Sequence, residues 1–450
     1  MLVRFSVGNF RSVLAKQTLD MRGVDAYAEL KHQLINTEVS NYNEPLVKSM
    51  AVYGANASGK SNLVKALDVM KNMVEQSMNL GETASPLRKI VPFSFSSEAR
   101  ITATEFEVEV VINGQLFQYG FKATNERIEE EWLFVKSSNK LGARPAKWFH
   151  RIGSEFAPKS TQFKGNVSAW EKLTRVDTLF LSVAVAAGSE MLKPLYSWFA
   201  KLEIISDVQS HARSFSKIAS SVIRERSLEE WSNSLPENVD GADLIPRLIE
   251  GAKTNKEKVL AFLQELDCGQ DVVNIHIDKI SDTLPTQGQD PLTQKRSNQT
   301  DLLKTYFIHK GLKENDPTFA LPLEEESKGT QALYGFALWY QLMIDLGSVI
   351  VIDELDTSFH PLLMRALIQR FHYESKDAQM IFTTHDISVL SQNYLRRDQV
   401  LLVDKKEQQT ELVPLSDYAV RKDESLDKGY LAGRYGAVPQ IVKQFSWGKS

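Results

Sequence analysis

The chain opens with apolar and polar residues in alternation, Val3, Phe5 and Val7 on one face, which predicts a strand. The same period of two returns over Thr104–Val110 and Phe117–Phe121, with Asn113-Gly114 placed to turn a hairpin between them. A second kind of segment is apolar without alternation. Val47–Tyr53, Ser348–Ile352 and Gln379–Thr383 read as strands buried on both faces, the pattern of a parallel sheet core. Helical spacing follows the first of these over Asn62–Met73, with Leu63, Ala66, Leu67 and Met70 on one stripe. It recurs over Leu333–Leu346, where Leu333, Phe336, Ala337, Tyr340 and Ile344 share a face. Between about Lys136 and Thr300 the character changes to a polar, basic stretch. Helical patterns follow around Ala169–Lys201 and Lys217–Leu266, then a loop rich in Gln, Thr and Pro over Asp282–Thr300. Leu302–His309 restores the strand pattern. The expected organisation is an α/β protein in three parts: residues 1–135, a mainly helical insertion over 136–300, and residues 301–450.

At 450 residues the chain exceeds one ordinary domain, in keeping with an inserted element. A net charge of −4 excludes a globally basic nucleic-acid binder while leaving room for a local basic patch. Cys268 is the sole cysteine, so an intrachain disulfide or a cysteine-based zinc site is excluded and a reducing, cytoplasmic setting is expected. The N-terminus lacks the apolar block of a signal peptide, and the run Leu179–Ala187 falls far short of the ~20 residues a membrane helix needs. No membrane partner is expected.

The chemistry is concentrated at the ends of the apolar strands. Gly54-Ala55-Asn56-Ala57-Ser58-Gly59-Lys60-Ser61 fits the G-x-x-x-x-G-K-[ST] phosphate-binding pattern, strand before it and helix from Asn62 after it. The glycines let backbone N–H groups approach phosphate oxygens, Lys60 reaches the terminal phosphates, and Ser61 is placed to bind Mg²⁺. A helix start adds its dipole to the same anion site. Val349–Ile352 ends in Asp353-Glu354, a pair suited to holding the Mg²⁺ shell and polarising an attacking water respectively. The next apolar strand ends in Thr383-Thr384-His385-Asp386. His385 there lies at the carboxyl edge of the same sheet, the place where open α/β sheets bind ligands.

Taken in order, these motifs resemble the ABC-type ATPase heads of the Rad50, SMC and OLD group. They are most similar to the bacterial stand-alone AAA ATPases of abortive-infection and restriction-linked loci (AbiL/RloA-like). The likeness also draws on Asn9-Phe10-Arg11-Ser12, Glu326-Ser327-Lys328-Gly329-Thr330-Gln331, Asp356 within Leu355–Pro361, and Tyr430–Pro439. It implies a mixed sheet with a parallel core and an antiparallel arm. It also implies ATP and Mg²⁺ as ligands, and Glu354, His385 and Lys60 as the catalytic set. Arg11 would lie near the phosphates. Ser327, Gly329 and Thr330 would form a signature acting on nucleotide held by a second copy, and Asp356 would sit in a loop between the two sites. A homodimer or larger assembly of such dimers is implied, as is a separately encoded nuclease or toxin, since too few residues follow His385 for a fused Toprim nuclease. Read without the resemblance, Glu324-Glu325-Glu326-Ser327 is an acidic run before a helix cap. The signature departs from the transporter pattern, and Gln76, Gln115 and Gln118 leave the expected Mg²⁺-sensing glutamine unassigned.

One further segment carries chemistry of its own. Lys136, Lys140, Arg144, Lys147, Arg151, Lys159 and Lys164 surround Trp148, Phe149, Phe156 and Phe163. Such a mixture suits a nucleic-acid backbone or a docked partner, and equally a hairpin with a solvated basic face. It keeps open an alternative reading, a DNA-clamping ATPase of the Rad50/SMC sort. The absence of a long coiled-coil heptad pattern weighs against that reading.

Overall fold

The computed structural model describes residues 1–27, 29–37, 44–78, 85–136, 145–157, 160–208, 210, 257–265, 271–280, 302–313, 315–357, 359–420 and 424–438. The chain divides into two compact units, one made of Met1–Ser206 with Ile344–Ser450 and the other of Asp207–Met343.

In the first unit the unbroken apolar segments pair as expected for strands buried on both faces. A six-stranded sheet runs in the order Glu203–Ile205, Val349–Ile352, Gln379–Thr383, Ser49–Gly54, Val400–Lys406, Gln409–Pro414. Every neighbouring pair is parallel except the last, a hairpin. The register sets Ile352 beside Phe382 and Thr383 beside Val52, so the strands end together at one carboxyl edge. The alternating segments form a seven-stranded sheet instead, in the order Glu155–Phe156, Ala146–Ile152, Ile128–Lys136, Gln115–Ala123, Thr104–Ile112, Leu2–Gly8, Gln17–Asp20. All its pairings are antiparallel. The fold is therefore α/β, with a parallel core and an antiparallel arm.

Helix Lys60–Gln76 joins the two sheets. Its Leu63, Val64, Leu67 and Met70 recur at helical spacing and share one hydrophobic cluster with Phe5 and Val7 of the antiparallel sheet and Val52, Val351 and Ile381 of the parallel one. The buried Gln379 adds a polar seam. Its side-chain oxygen accepts from Leu2 N–H at 2.6 Å and its nitrogen donates to Leu2 O and Val47 O, satisfying strand edges that would otherwise be orphaned.

The expected boundary near residue 136 does not separate two bodies. Ala146–Ile152 and Glu155–Phe156 extend the antiparallel sheet, and the helices Val167–Leu173, Phe180–Ala186 and Lys193–Ala200 pack on the first unit. Their core is aromatic: Trp148 stacks on Phe163 at 5.6 Å, and Phe149 meets Phe180 edge-on at 4.7 Å. The basic composition of this stretch hid a strand whose Trp148, Phe149 and Arg151 are all buried. Of the helical pattern over Lys217–Leu266, residues 257–265 are helical and 217–256 lie outside the described residues, as does the loop Asp282–Thr300.

The second unit, by itself, contains an antiparallel sheet of Val272–Ile280, Leu302–His309 and Phe319–Pro322, and most of helix Lys328–Asp345. Within residues 136–300 the described part holds more helix than strand, its strands being Ala146–Ile152, Glu155–Phe156, Glu203–Ile205 and Val272–Ile280.

Arg151 and Glu131 form a buried ion pair at 2.9 Å, with side chains 1% and 0% exposed. Glu131 also accepts from Tyr119 Oη and from the N–H groups of Phe180 and Leu181 at the start of a helix. Arg151 donates to Arg175 O and Thr178 O. Breaking such a pair strands a charge in the interior. Glu131→Gln is expected to lower unfolding free energy by about 3–5 kcal/mol, read by urea denaturation against the parent. A loss below about 1 kcal/mol would contradict this role.

Candidate nucleotide site

Strand Ser49–Gly54 runs into the phosphate loop, and helix Lys60–Gln76 begins at its end. The loop backbone takes conformations that ordinary residues avoid: Ala57 has φ 61° and Gly59, the helix N-cap, φ 117°. A Cβ on Gly59 would stand 2.1 Å from Thr410 Oγ1, and one on Gly54 2.4 Å from Val403 O. Both glycines are therefore fixed by space as well as by backbone. Lys60 is buried and its ammonium turns back onto the loop, donating to Gly54 O at 2.8 Å and Ala55 O at 3.1 Å. Burial, the largest influence, pulls its pKa below the ordinary lysine value, and the nearby carboxylates of Asp353, Glu354 and Asp356 pull it back up. Ser61 and Asn62 occupy the first helical turn, half-buried.

Thr410, which has no sequence signal of its own, and Ser12 of the Asn9-Phe10-Arg11-Ser12 motif brace this loop. Thr410, in the hairpin strand, donates its hydroxyl to Ser58 O at 2.7 Å and its N–H to Ser12 O at 2.7 Å. Ser12 Oγ lies 2.8 Å from Thr410 Oγ1 and accepts from Asn62 Nδ2 at 2.7 Å. Arg11 is one residue away at φ 50°, its N–H donating to Val91 O. Its guanidinium Nε is buried without a partner, and Ser58 Oγ is likewise buried and unpaired.

The acids stand on neighbouring strand ends. Asp353 N–H donates to Ile205 O at 2.8 Å, and Asp353 Oδ1 accepts from Thr383 Oγ1 at 2.6 Å. Thr383 Oγ1 in turn accepts from Glu354 N–H at 2.7 Å. Glu354 is exposed and left-handed, φ 54°, and its carbonyl accepts from both the N–H and hydroxyl of Thr357. Asp356 Oδ2 accepts from His385 N–H at 3.2 Å, while its Oδ1 is buried and unpaired. His385 has its pKa lowered chiefly by burial and then by Lys60, with Asp356, Glu354 and Asp353 acting the other way. Near pH 7 its ring is therefore neutral, able to donate one hydrogen bond and accept another. Lys60, Asp353, Glu354, Asp356 and His385 thus share one electrostatic neighbourhood.

The signature residues lie in the second unit. Ser327 accepts from Thr330 N–H at 3.1 Å and caps helix Lys328–Asp345, its hydroxyl 2.8 Å from that of Thr330. Gln331 donates to Glu324 O and Glu326 O. Glu326 pairs with His309 at 2.6 Å, and His309 with Asp271 at 2.8 Å. Burial disfavours the charged His309 ring most, yet these two carboxylates together raise its pKa above the ordinary value. Ser327, Lys328 and Gly329 are exposed, and a Cβ on Gly329 would meet only Ser327 Oγ, at 3.7 Å. Nothing within the described chain demands glycine there.

Among the described residues of the basic stretch, Phe156 is half-buried and the other aromatics singled out are enclosed. Trp148, Phe149 and Phe163 are buried, and Arg151 is consumed by its ion pair; Lys140, Arg144 and Lys159 lie outside the described residues.

The donor set fits a magnesium nucleotide. Two glycines let the loop lie directly against Val403 and Thr410, the loop holds an unpaired hydroxyl and a buried ammonium, and an unpaired guanidinium nitrogen lies beside Ser12. Among the described residues, no group of three or more His, Cys, Asp or Glu is arranged to hold a metal by itself. Among the described residues, too, no helix is long and apolar enough to cross a membrane.

The family model described as "AAA domain, putative AbiEii toxin, Type IV TA system" matches residues 49–391. A search of curated proteins found no match. Among solved structures, the chain is similar to an Smc head bound to the C-winged helix domain of ScpA, at 13% identity and TM-score 0.49, covering 92% of this chain and 97% of that one. It is also similar to the SMC head domain from Thermotoga maritima, at 12% identity and TM-score 0.42, with 92% and 98% covered. The Smc head from Pyrococcus furiosus with an extended coiled coil, bound to the C-terminal domain of ScpA, gives 12% identity and TM-score 0.39, with 96% and 98% covered.

The steric reading of the loop is open to direct test. Gly59→Ala forces a side chain into Thr410 at a strongly positive φ, and is expected to weaken binding of a fluorescent ATP analogue at least tenfold, about 1.4 kcal/mol. Unaltered affinity would show that the loop is not held as described.

Proposed function

The chain belongs to this family of AAA domains, and from that premise we propose that it is an ATPase working at composite sites between two copies. The carrying observation is the convergence of Lys60, Asp353, Glu354 and His385 at adjoining strand ends of one parallel sheet, beside the glycine-containing phosphate loop.

In this reading the N–H groups of Gly54 to Asn62 and the Lys60 ammonium bind the phosphates of ATP, the ammonium giving up its two loop carbonyls to do so. Arg11, with an unpaired nitrogen next to the residue that braces the loop, adds charge from the antiparallel sheet. Ser61 and Asp353 hold Mg²⁺, which when bound neutralises developing phosphate charge. Glu354 accepts a proton from the attacking water. The neutral His385 ring donates a hydrogen bond to the terminal phosphate. Exposed Ser327 and Gly329, with the buried Thr330 behind them, would cap the site of a second copy. An exposed glycine at a helix start destabilises the helix by about 1 kcal/mol relative to alanine, and Gly329 has no intrachain reason for it. Close approach of another molecule supplies that reason. Asp356, bonded to the switch-histidine backbone, lies in the loop that would run between the two sites.

A matched pair of variants separates binding from turnover. Glu354→Gln is expected to bind ATP normally, lose at least about a hundredfold in turnover, and accumulate as a dimer. Lys60→Ala should lose binding itself and remain undimerised with ATP. Sedimentation in Mg²⁺·ATP reads both outcomes, and near-parental turnover by Glu354→Gln would remove that residue from its role.

The family description names a toxin of a type IV toxin–antitoxin system. We therefore place the chain, with the AbiL/RloA-like resemblance, in abortive-infection defence in the cytoplasm, sensing infection or restraining a separately encoded nuclease or toxin. ATP-driven opening and closing of the dimer would be the signal passed to that partner. Affinity purification with its native operon should retain a small nuclease or toxin in a nucleotide-dependent way. Salt-sensitive, ATP-stimulated DNA binding with no protein retained would favour the DNA-clamp alternative instead.

A further inference from the structure

We propose that Thr383 is a positioning residue for Asp353 and Glu354, acting through its one hydroxyl group. The inference rests on the ATPase reading above and adds a residue that no motif assigns a task.

Thr383 is the last residue of strand Gln379–Thr383, whose parallel neighbour Val349–Ile352 delivers the acids. It is fully buried. Its hydroxyl hydrogen goes to Asp353 Oδ1 at 2.6 Å, and an oxygen lone pair takes the Glu354 N–H at 2.7 Å. A hydroxyl offers one donor and two acceptor sites, so a single atom serves both acids with opposite polarity. Neither a carbonyl nor an ammonium could do so. The charge-assisted bond fixes one carboxylate oxygen of Asp353 and so sets the direction in which the other is presented, as groups behind a metal ligand commonly do.

The second bond restrains backbone. Glu354 sits at φ 54°, a conformation that side-chain-bearing residues disfavour, and persists there only if its surroundings over-determine it. Thr383 holds its N–H from one side, and Thr357 holds its carbonyl from the other with N–H and hydroxyl together. The Glu354 side chain makes no part of this arrangement. It is left exposed while its backbone is clamped, the condition for aiming a general base without occupying it. Thr357 belongs to the turn Leu355–Thr357 that also carries Asp356, so the clamp ties the inter-site loop to the base.

Valine has the shape of threonine without the hydroxyl, and serine has the hydroxyl without the methyl. Thr383→Val should lower kcat for ATP about 10–100-fold with KM within about twofold, and Thr383→Ser should restore most of it. A purely structural role for the side chain would give the reverse order, since valine better preserves the buried packing. A second measurement needs no nucleotide: amide exchange at Glu354 should quicken at least tenfold in Thr383→Val and stay near parental in Thr383→Ser. Parental kcat and parental Glu354 protection in Thr383→Val would overturn the proposal. A parent that hydrolyses no ATP would contradict the ATPase reading and remove the positioning role with it, distinguishable from the first failure because the variants are then not needed to see it.

Discussion

Parallel pairing among the strands ending at Gly54, Ile352 and Thr383 is the constraint on which the rest of the structure depends. Parallel register brings like ends together, so a phosphate loop, an acidic pair and a histidine far apart in the chain arrive at one edge without any local contact between them. Helix Lys60–Gln76 then has to cover the sheet, and its apolar stripe does so while its N-terminus points the loop at the same edge. Function and folding share this one device: the apolar burial that stabilises the strands also positions the charges.

Those charges act on one another at the shared edge. Three carboxylates draw on the buried Lys60 ammonium there, and Arg11, Ser58 and Asp356 of the same motifs each bury an unpaired polar atom. Left-handed backbone at Arg11, Ala57 and Glu354 adds conformational strain around the same place. Unpaired atoms of Arg11, Ser58 and Asp356 and left-handed backbone at the same edge are features that a bound ligand would offset, whereas the buried Glu131 and Gln379 are multiply satisfied within the fold.

Much of this was legible in the residues, and the boundary of legibility has a physical cause. Unbroken apolar runs and strict alternation announced the parallel and antiparallel strands, because burial on two faces or one writes a different period into the chain. The phosphate loop was legible because its contacts are local in sequence. Thr410 was not, because it meets Ser58 across 352 positions and nothing near it in the chain reflects that contact. Thr383 appeared within a motif, but its two opposed hydrogen bonds exist only once two strands lie side by side. The stretch Ala146–Ile152 misled for another reason: a strand carrying Lys147 and Arg151 beside Trp148 and Phe149 shows its charges in composition, whereas its rings and the buried Arg151–Glu131 pair show only in three dimensions. The reach of residues 136–206 into the first unit was hidden with it.

Trans completion of each site is the central claim, and subunit mixing tests it most directly. Lys60→Ala loses its own phosphate grip, and Ser327→Arg blocks the neighbour's, so each variant alone lacks any intact composite site. A mixed pair regains one, Lys60 from one copy facing Ser327 of the other. Combining the two inactive chains should therefore restore ATP turnover to a substantial fraction of the parental rate. If the mixture, shown to exchange subunits, stays as inactive as its components, the two copies do not complete each other and the account is wrong.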